Sequence, residues 1–386
     1  MSTGPLEGVT VLDFSQFLAG PSAAMRLADL GANVIKIERP GTGDLSRQLY
    51  LAADMKYDGD SLLYHTINRH KKGYAANLKD PADLERIKKL IASADVMIEN
   101  FRPGVMTRLG LDYETVKQFN PGIVYGTITG YGTDGPWKTL PGQDLLAQSR
   151  SGLTWLSGDE SQGPVPIGLS ISDLITGAHL VQGILACLVR KGVSGKGGHV
   201  EVSLVESSLD LQFEFLTNFL NDGNKLPKRA NIRSASAYLG APYGIYPTAD
   251  GYLALAMGDI PHLGTLLECS ALIAFPDPDE WFSKRDSIKA ILVEHLKKRK
   301  TQDWLDVLEP ADYWCAPVLT WEDLLEQKGF EALQMTQYVG RNQEEGFTTL
   351  RCPIRVDGER FYSQQPAPRV GEHNDEIEQS LNEISE

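Results

Sequence analysis

Positive charge is what this chain has too little of. Its 386 residues carry 37 Lys and Arg against 51 Asp and Glu, a net charge of -14 at pH 7. A chain of that sign does not take nucleic acid or an anionic membrane as a general partner, although a local basic patch can still hold a small anion. Paired cysteine is missing as well. Cys187, Cys269, Cys315 and Cys352 are scattered without a C-x-x-C, which argues against a disulfide framework and a thiolate metal site and suits a reducing compartment. No His/Cys cluster suggests a metal. No apolar run reaches the ~20 residues that span a bilayer. The start, MSTGPLEG, has neither a basic region followed by an apolar one nor an Arg-rich presequence, so the expected address is cytoplasmic. Internal repeats and low-complexity segments are absent.

What is there is a soluble α/β chain, 42% hydrophobic and 23% charged. At this length two domains are expected. Val9–Phe14 reads as a buried strand, Ser22–Leu30 as a short helix and Asn33–Glu38 as a second strand. Runs this apolar, alternating with helices, predict an open parallel, Rossmann-like sheet covered on both faces. A nicotinamide enzyme would look similar, with Glu38 on the ribose. The first turn, however, is Q-F-L-A-G-P in place of G-x-G-x-x-G, and that fingerprint is what the reading requires.

Further strands are expected at Val96–Ile98, Ile123–Thr129 and His199–Leu204, with helices starting at Asp80-Pro81, near Tyr113–Phe119 and at Gln143-Asp144. Polar and basic residues gather where strands end, at Arg39 and at Asn100-Phe101-Arg102, and ligands bind at the carboxyl ends of strands in open α/β sheets. Val205–Leu220 reads as one long helix carrying an apolar stripe. The polar stretch NDGNKLPKRANIRS suggests a linker, giving a large domain over 1–220, a linker over 221–240, a smaller α+β domain over 241–321 and a return segment over 322–386. The small domain should carry a strand pair, Tyr243–Pro247 and Tyr252–Met257, and helices near Ser287–Lys298 and Thr301–Leu308. Further strands are expected at Thr348–Ile354 and Phe361–Tyr362.

The stretch from Pro164 to Lys191 holds the chemistry. It opens with an extended run, Pro164–Leu169, turns at Ser170–Ser172 and becomes a strongly apolar helix from Leu174, with a Gly/Lys loop after it. Asp173 stands at the mouth of that helix. An Asp there is either an N-cap or an exposed carboxylate steadied by a helix N-terminus. Asp144, at the start of the preceding helix, carries the same ambiguity.

Six blocks in register settle the choice. LDFSQFLAGP, LGANVIKIERPGTGD, ADVMIENFRPG, GYGTDGP, SISDLITG and VGEHNDEI together resemble the family III CoA-transferases, the group that includes formyl-CoA transferase and carnitine CoA-transferase. The resemblance runs over nearly the whole chain. It implies two domains and an interlocked, ring-like homodimer, with coenzyme A entering as part of an acyl-CoA substrate and no metal or redox cofactor. Asp173 falls on the family's nucleophile and Asp144 on a second acidic position near the reacting carboxylates. Phe17, Ala19, Arg39, Lys79, Asn100, Phe101 and Arg108 fall where the family holds CoA.

Two departures bear on substrate. A glutamine that contacts the acyl-aspartyl intermediate in the formyl-CoA enzyme is replaced here by Leu18, with Gln16 two positions earlier as its substitute. The run of glycines that closes over that enzyme's site is missing, and Met257-Gly258-Asp259 is the nearest feature. Both argue against formyl-CoA/oxalate specificity. The same fold serves α-methylacyl-CoA racemase, in which a proton-transferring His stands immediately before the acidic residue of the Gly-x-Asp motif. Here the triplet is Gly142-Gln143-Asp144, and glutamine exchanges no proton, so transfer is favoured over racemisation. A non-catalytic CoA-binding protein is the remaining alternative, and it leaves two acids at helix mouths explained only as caps.

Overall fold

The computed structural model describes residues 4–50, 55–363 and 365–385. Six strands, β1 (Thr10–Asp13), β2 (Asn33–Glu38), β3 (Lys72–Ala75), β4 (Val96–Glu99), β5 (Val124–Thr129) and β6 (Gly198–Ser203), form one sheet with every neighbouring pair parallel. Their spatial order, β3-β2-β1-β4-β5-β6, is that of a doubly wound nucleotide-binding sheet. Val11, Leu12, Val34, Ile35, Met97 and Ile98 are buried, as strands covered on both faces must be. Two apolar clusters do the covering. One is built on Leu12, Ile35, Tyr74, Ile87 and Met97, and the other on Val11, Val34, Ile98, Leu180 and Ile184.

Among the described residues up to 221 the α-helices are α1 (Ala19–Asp29), α2 (Leu62–Asn68), α3 (Pro81–Ser93), α4 (Val105–Leu109), α5 (Tyr113–Phe119), α6 (Asp144–Arg150), α7 (Ile171–Ser194), α8 (Leu204–Asp210) and α9 (Phe213–Asn221). The start of α3 follows its sequence: Asp80 accepts hydrogen bonds from the amides of Ala82 and Asp83, with Pro81 at the first helical position. By length and composition α7 would suit a membrane. Its Leu180 and Ile184 are instead fully buried in the sheet's second cluster, with Leu180 against Gly126 of β5.

Several local expectations are corrected. Pro164–Leu169 forms no strand, and α7 begins at Ile171 and continues through Lys191 to Ser194. Asp173 therefore lies inside the first helical turn, while Gly195, at φ 70°, ends the helix. Val205–Leu220 is two helices, α8 and α9, broken at Leu211-Gln212. The break falls where the chain leaves one compact unit for another. Strand β3 was not anticipated, because KGYA is short and lacks an apolar run.

Residues 1–147, 170–211 and 333–386 make the first unit, and residues 148–169 and 212–332 the second. Within the second, β7 (Gly244–Pro247), β8 (Tyr252–Leu255) and β9 (Cys315–Pro317) form an antiparallel sheet in the order β9-β8-β7. The sheet packs through Tyr246, Leu253 and Leu255 on helices carrying Leu263, Leu292 and Trp304. Segment 221–240 belongs to this unit: Arg229 donates its amide to Glu160 Oε2 at 3.0 Å and Ser234 its amide to Asp159 Oδ1 at 2.8 Å. The returning segment seals the edge of β3, where Asn374 bonds both the amide and the carbonyl of Ala75.

Candidate active site

In the order 3-2-1-4-5-6 the chain reverses direction of winding between β1 and β4, and the loops after those strands part to open a crevice. Gln16 follows β1 and Asn100 follows β4. They meet across the crevice: the Gln16 amide donates to Asn100 Oδ1 at 2.8 Å, and Asn100 Nδ2 donates to the Gln16 carbonyl at 2.8 Å. Both hydrogen-bonding groups of the Gln16 backbone are thus fixed by one side chain.

Beside that clamp lies a pocket of about 480 Å³ at the carboxyl ends of β1, β2 and β3. Phe14, Ile37, Leu78, Phe101, Val105 and Leu109 give it an apolar wall, and Gln16, Arg39, Lys79 and Arg108 give it polar and cationic groups. The side chains of Arg39, Lys79 and Arg108 are exposed and enter no ion pair among the described residues. Three cations outside any ion pair around one pocket, on a chain of net charge -14, suit a multiply charged anion with an apolar body. Ile37 and Leu78 were not singled out in the sequence; Ile37 lies within the apolar strand Asn33–Glu38 and reads there as core.

The other sequence-assigned residues take different places. Asn100 shapes the loop and does not line the pocket. Phe17 is 46% exposed, stands at φ 66°, and donates its amide to Asp44 Oδ1 at 3.3 Å. Ala19 is buried as the first residue of α1, a helix start that no side chain caps. Glu38 accepts from Arg47 Nε at Oε1 (2.9 Å) and Nη2 at Oε2 (2.7 Å), and also from the Asp44 amide at 2.8 Å and the Tyr64 hydroxyl at 3.3 Å. A ribose-binding role for Glu38 finds no free carboxylate.

Asp173 and Asp144 come together at the start of α7. Asp144 Oδ1 accepts the amide of Ser172 at 2.7 Å and that of Asp173 at 3.3 Å. Asp144 is therefore the cap of the Asp173 helix. The loop before it is pinned by two glycines, since a Cβ on Gly142 would stand 2.5 Å from the Cα of Gly130. The Asp173 carboxyl makes no hydrogen bond among the described residues, and burial, then the Asp144 charge, pushes it up to about 7. It is a desolvated acid poised near neutrality, which suits a group that must change its bonding during reaction.

One contact carries α7 to α1. A Cβ on Gly177 would lie 2.8 Å from the Ala19 carbonyl oxygen and 2.8 Å from Ser22 Oγ, so only glycine permits this approach. Gly177 is one turn beyond Asp173, and Ala19 ends the loop that begins at Gln16. The nucleophile candidate and the pocket loop are thereby tied to one helix start. Gln143 lies exposed between Gly142 and Asp144. In the second unit, Met257-Gly258-Asp259 forms a helix start: Asp259 accepts the His262 amide at 2.6 Å, and Gly258 packs against Tyr313.

The comparisons agree with this architecture. Residues 6–374 match the model of CoA-transferase family III. The succinate–glutarate CoA-transferase of Agrobacterium fabrum is 32% identical, with 98% of this chain and 96% of that protein covered. The human succinyl-CoA:glutarate CoA-transferase is 32% identical over 97% of this chain and 85% of that protein. The acetyl-CoA:oxalate CoA-transferase of Acetobacter aceti is 32% identical over 96% and 94%. Among solved structures, a CaiB/BaiF family protein from Brucella suis superposes with a TM-score of 0.84 at 31% identity, covering 98% of this chain and 100% of that one. With its doubly wound sheet, its cation-rimmed pocket and its capped acid, this chain belongs to CoA-transferase family III.

Proposed function

We propose that the chain moves CoA from an acyl-CoA donor to a free carboxylic acid through covalent intermediates on Asp173. The observation that carries this reading is the state of Asp173, a partly buried carboxyl without a hydrogen-bonding partner, next to an acid that caps its helix. The Asp173 carboxylate attacks the thioester carbonyl, forming a mixed anhydride and expelling CoA thiolate. The thiolate then attacks the aspartyl carbonyl of that anhydride, which yields an aspartyl-CoA thioester and the donor acid. The acceptor carboxylate attacks the aspartyl-CoA carbonyl, and thiolate is released once more. It attacks the acceptor's acyl carbonyl, leaving the new acyl-CoA and regenerating Asp173. Each hard exchange becomes a series of easier acyl transfers.

Asp144 holds the start of α7 and, by its charge, keeps Asp173 basic enough to attack. Gln16 borders the pocket where Arg39, Lys79 and Arg108 meet the phosphates of CoA; Phe101 gives that pocket apolar surface, and the exposed Phe17 on the adjoining loop offers apolar surface to CoA outside it. The relatives named for succinate, glutarate and oxalate favour small dicarboxylates as acids. A homodimer is supported by the exposed apolar residues on α7 and α9, among them Leu174, Val193, Phe213 and Leu220. A cytoplasmic address fits the reduced cysteines.

A matrix of acyl-CoA donors against carboxylic acids, read by mass spectrometry of the CoA esters, tests the assignment. New esters should appear only when an acid acceptor is present. Hydrolysis to free CoA alone, or no turnover of any pair, contradicts it. Incubation of 2-methylacyl-CoA in deuterium oxide should leave the α-carbon unlabelled, because Gln143 exchanges no proton.

A further inference from the structure

Four charged side chains with no accessible surface or nearly none lie beneath the loop that joins β1 to α1. Asp13 ends β1, Lys36 sits in β2, Lys71 precedes β3, and Asp44 follows β2; Lys36 lies between Asp44 and Asp13, and Asp13 between Lys36 and Lys71. Lys71 Nζ donates to Asp13 Oδ2 at 2.8 Å, to Asn68 Oδ1 at 2.8 Å and to the Pro21 carbonyl at 2.9 Å. Lys36 Nζ donates to Asp44 Oδ2 at 2.8 Å and to the Ser15 carbonyl, and stands 3.8 Å from Asp13 Oδ2. Asp13 also accepts the Ser15 amide at 3.0 Å, and Asp44 accepts the Phe17 amide at 3.3 Å. Every ion pair here is fully buried.

Such a network is a poor way to gain stability, because desolvating four charges offsets most of their attraction and apolar replacements often do as well. Its hydrogen bonds, however, converge on one short segment. At the backbone Ser15 is held by Asp13 and Lys36, Phe17 by Asp44 and Pro21 by Lys71, and between these anchors Phe17 stands at φ 66°. A bulky residue at positive φ persists only where its surroundings over-determine it. The same segment carries Gln16, on the pocket wall, and Ala19, against Gly177.

We propose that Asp13, Lys36, Lys71 and Asp44 are positioning residues for CoA binding, which hold residues 15–21 in the strained shape that the pocket requires. This deepens the proposed function and rests on it only for the identity of the ligand. Removal of one charge would strand another, so the test uses the charge-balanced double variant D13N/K71M, with D44N as a milder second variant. Two quantities are read on the full-length protein: amide hydrogen exchange without ligand, and the affinity for CoA measured by calorimetry.

For D13N/K71M the amides of residues 16–20 should exchange at least tenfold faster while β4 and β5 keep their protection, and CoA should bind at least tenfold more weakly. D44N should show a smaller change in the same direction, centred on Phe17. In turnover, KM for acyl-CoA should rise far more than kcat falls. Unchanged exchange in the loop, or faster exchange spread evenly over the sheet, would overturn the proposal, as would unaltered CoA affinity in a variant whose loop has loosened. A wild type that binds no CoA defeats the proposed function instead, and the exchange data still decide whether the network holds the loop.

Discussion

Asp144 Oδ1 lies 2.7 Å from the amide nitrogen of Ser172 and 3.3 Å from that of Asp173, so the helix that presents Asp173 is capped by a carboxylate from another helix. This frees Asp173 from the role that its position in the sequence suggests most readily. It also places two acids side by side, with one spent on structure and the other unspent.

A cap lost to mutation costs about 0.5–2 kcal/mol. Asp173 should behave in the opposite way. Its folded-state carboxyl is pushed up to about 7 from the ordinary 3.8, chiefly by burial. The folded protein therefore binds the proton more tightly than the unfolded chain, and Asp173 weakens the fold as pH rises between those values. Asp173→Asn should be more stable than wild type by about 1–2 kcal/mol at pH 8, with the gain disappearing near pH 4. Denaturant melts at the two pH values measure it, and a loss of stability at pH 8 would mean that the Asp173 charge is compensated in the fold.

In the proposed mechanism the attacking species is the Asp173 carboxylate, so kcat/KM for the acyl-CoA should rise with pH through about 7 and then level off. Asparagine can still accept the two helix amides, so Asp144→Asn keeps the cap while removing the charge. The acidic limb should then move to lower pH but remain above the ordinary carboxylate range, because burial, the larger cause, is untouched. A pH–rate profile of both proteins checks the direction.

Gly177→Ala sets a methyl group 2.8 Å from the Ala19 carbonyl and from Ser22 Oγ. Overpacking of this kind costs about 1–3 kcal/mol. The displaced helix should carry Asp173 off its position, lowering kcat at least tenfold in the folded fraction while thermal unfolding remains cooperative.

The uncommitted cations predict selectivity for the nucleotide half of CoA. Arg39→Ala, Lys79→Ala and Arg108→Ala should each raise KM for an acyl-CoA by about three- to tenfold, the net value of an ordinary hydrogen bond. KM for the corresponding pantetheine thioester, which lacks the nucleotide, should stay unchanged. Comparing the two substrates at fixed ionic strength separates phosphate contact from general damage.

Much of both units was legible because the signals are local. NVIKIE is bounded by turn residues and forms β2 over the expected Asn33–Glu38, and Tyr113–Phe119 and Thr301–Leu308 are helices at the expected limits. Arg39 could be placed because it follows a strand that periodicity reveals, whereas Lys79 and Arg108 were expected only from the family resemblance. What stayed hidden is long-range. Lys36 and Lys71 look like ordinary charges until β1, β2 and β3 bring them to Asp13, and β3 itself is too short to announce its place in the sheet. Nor could sequence decide which acid caps α7, because the partner of Ser172 is 28 residues away. The break at Leu211-Gln212 leaves an apolar stripe uninterrupted, so periodicity alone joined α8 to α9.

The central claim is a covalent bond at Asp173, and trapping it is the direct test. Wild-type protein given an acyl-CoA donor without an acceptor should accumulate an adduct that hydroxylamine converts to a hydroxamate on the peptide containing Asp173. Asp173→Ala should remain folded and bind CoA but form no adduct, with transfer reduced by several orders of magnitude. Asp144→Asn should slow formation of the adduct without moving it. A hydroxamate on Asp144, or sustained transfer with no labelled residue, would contradict the account.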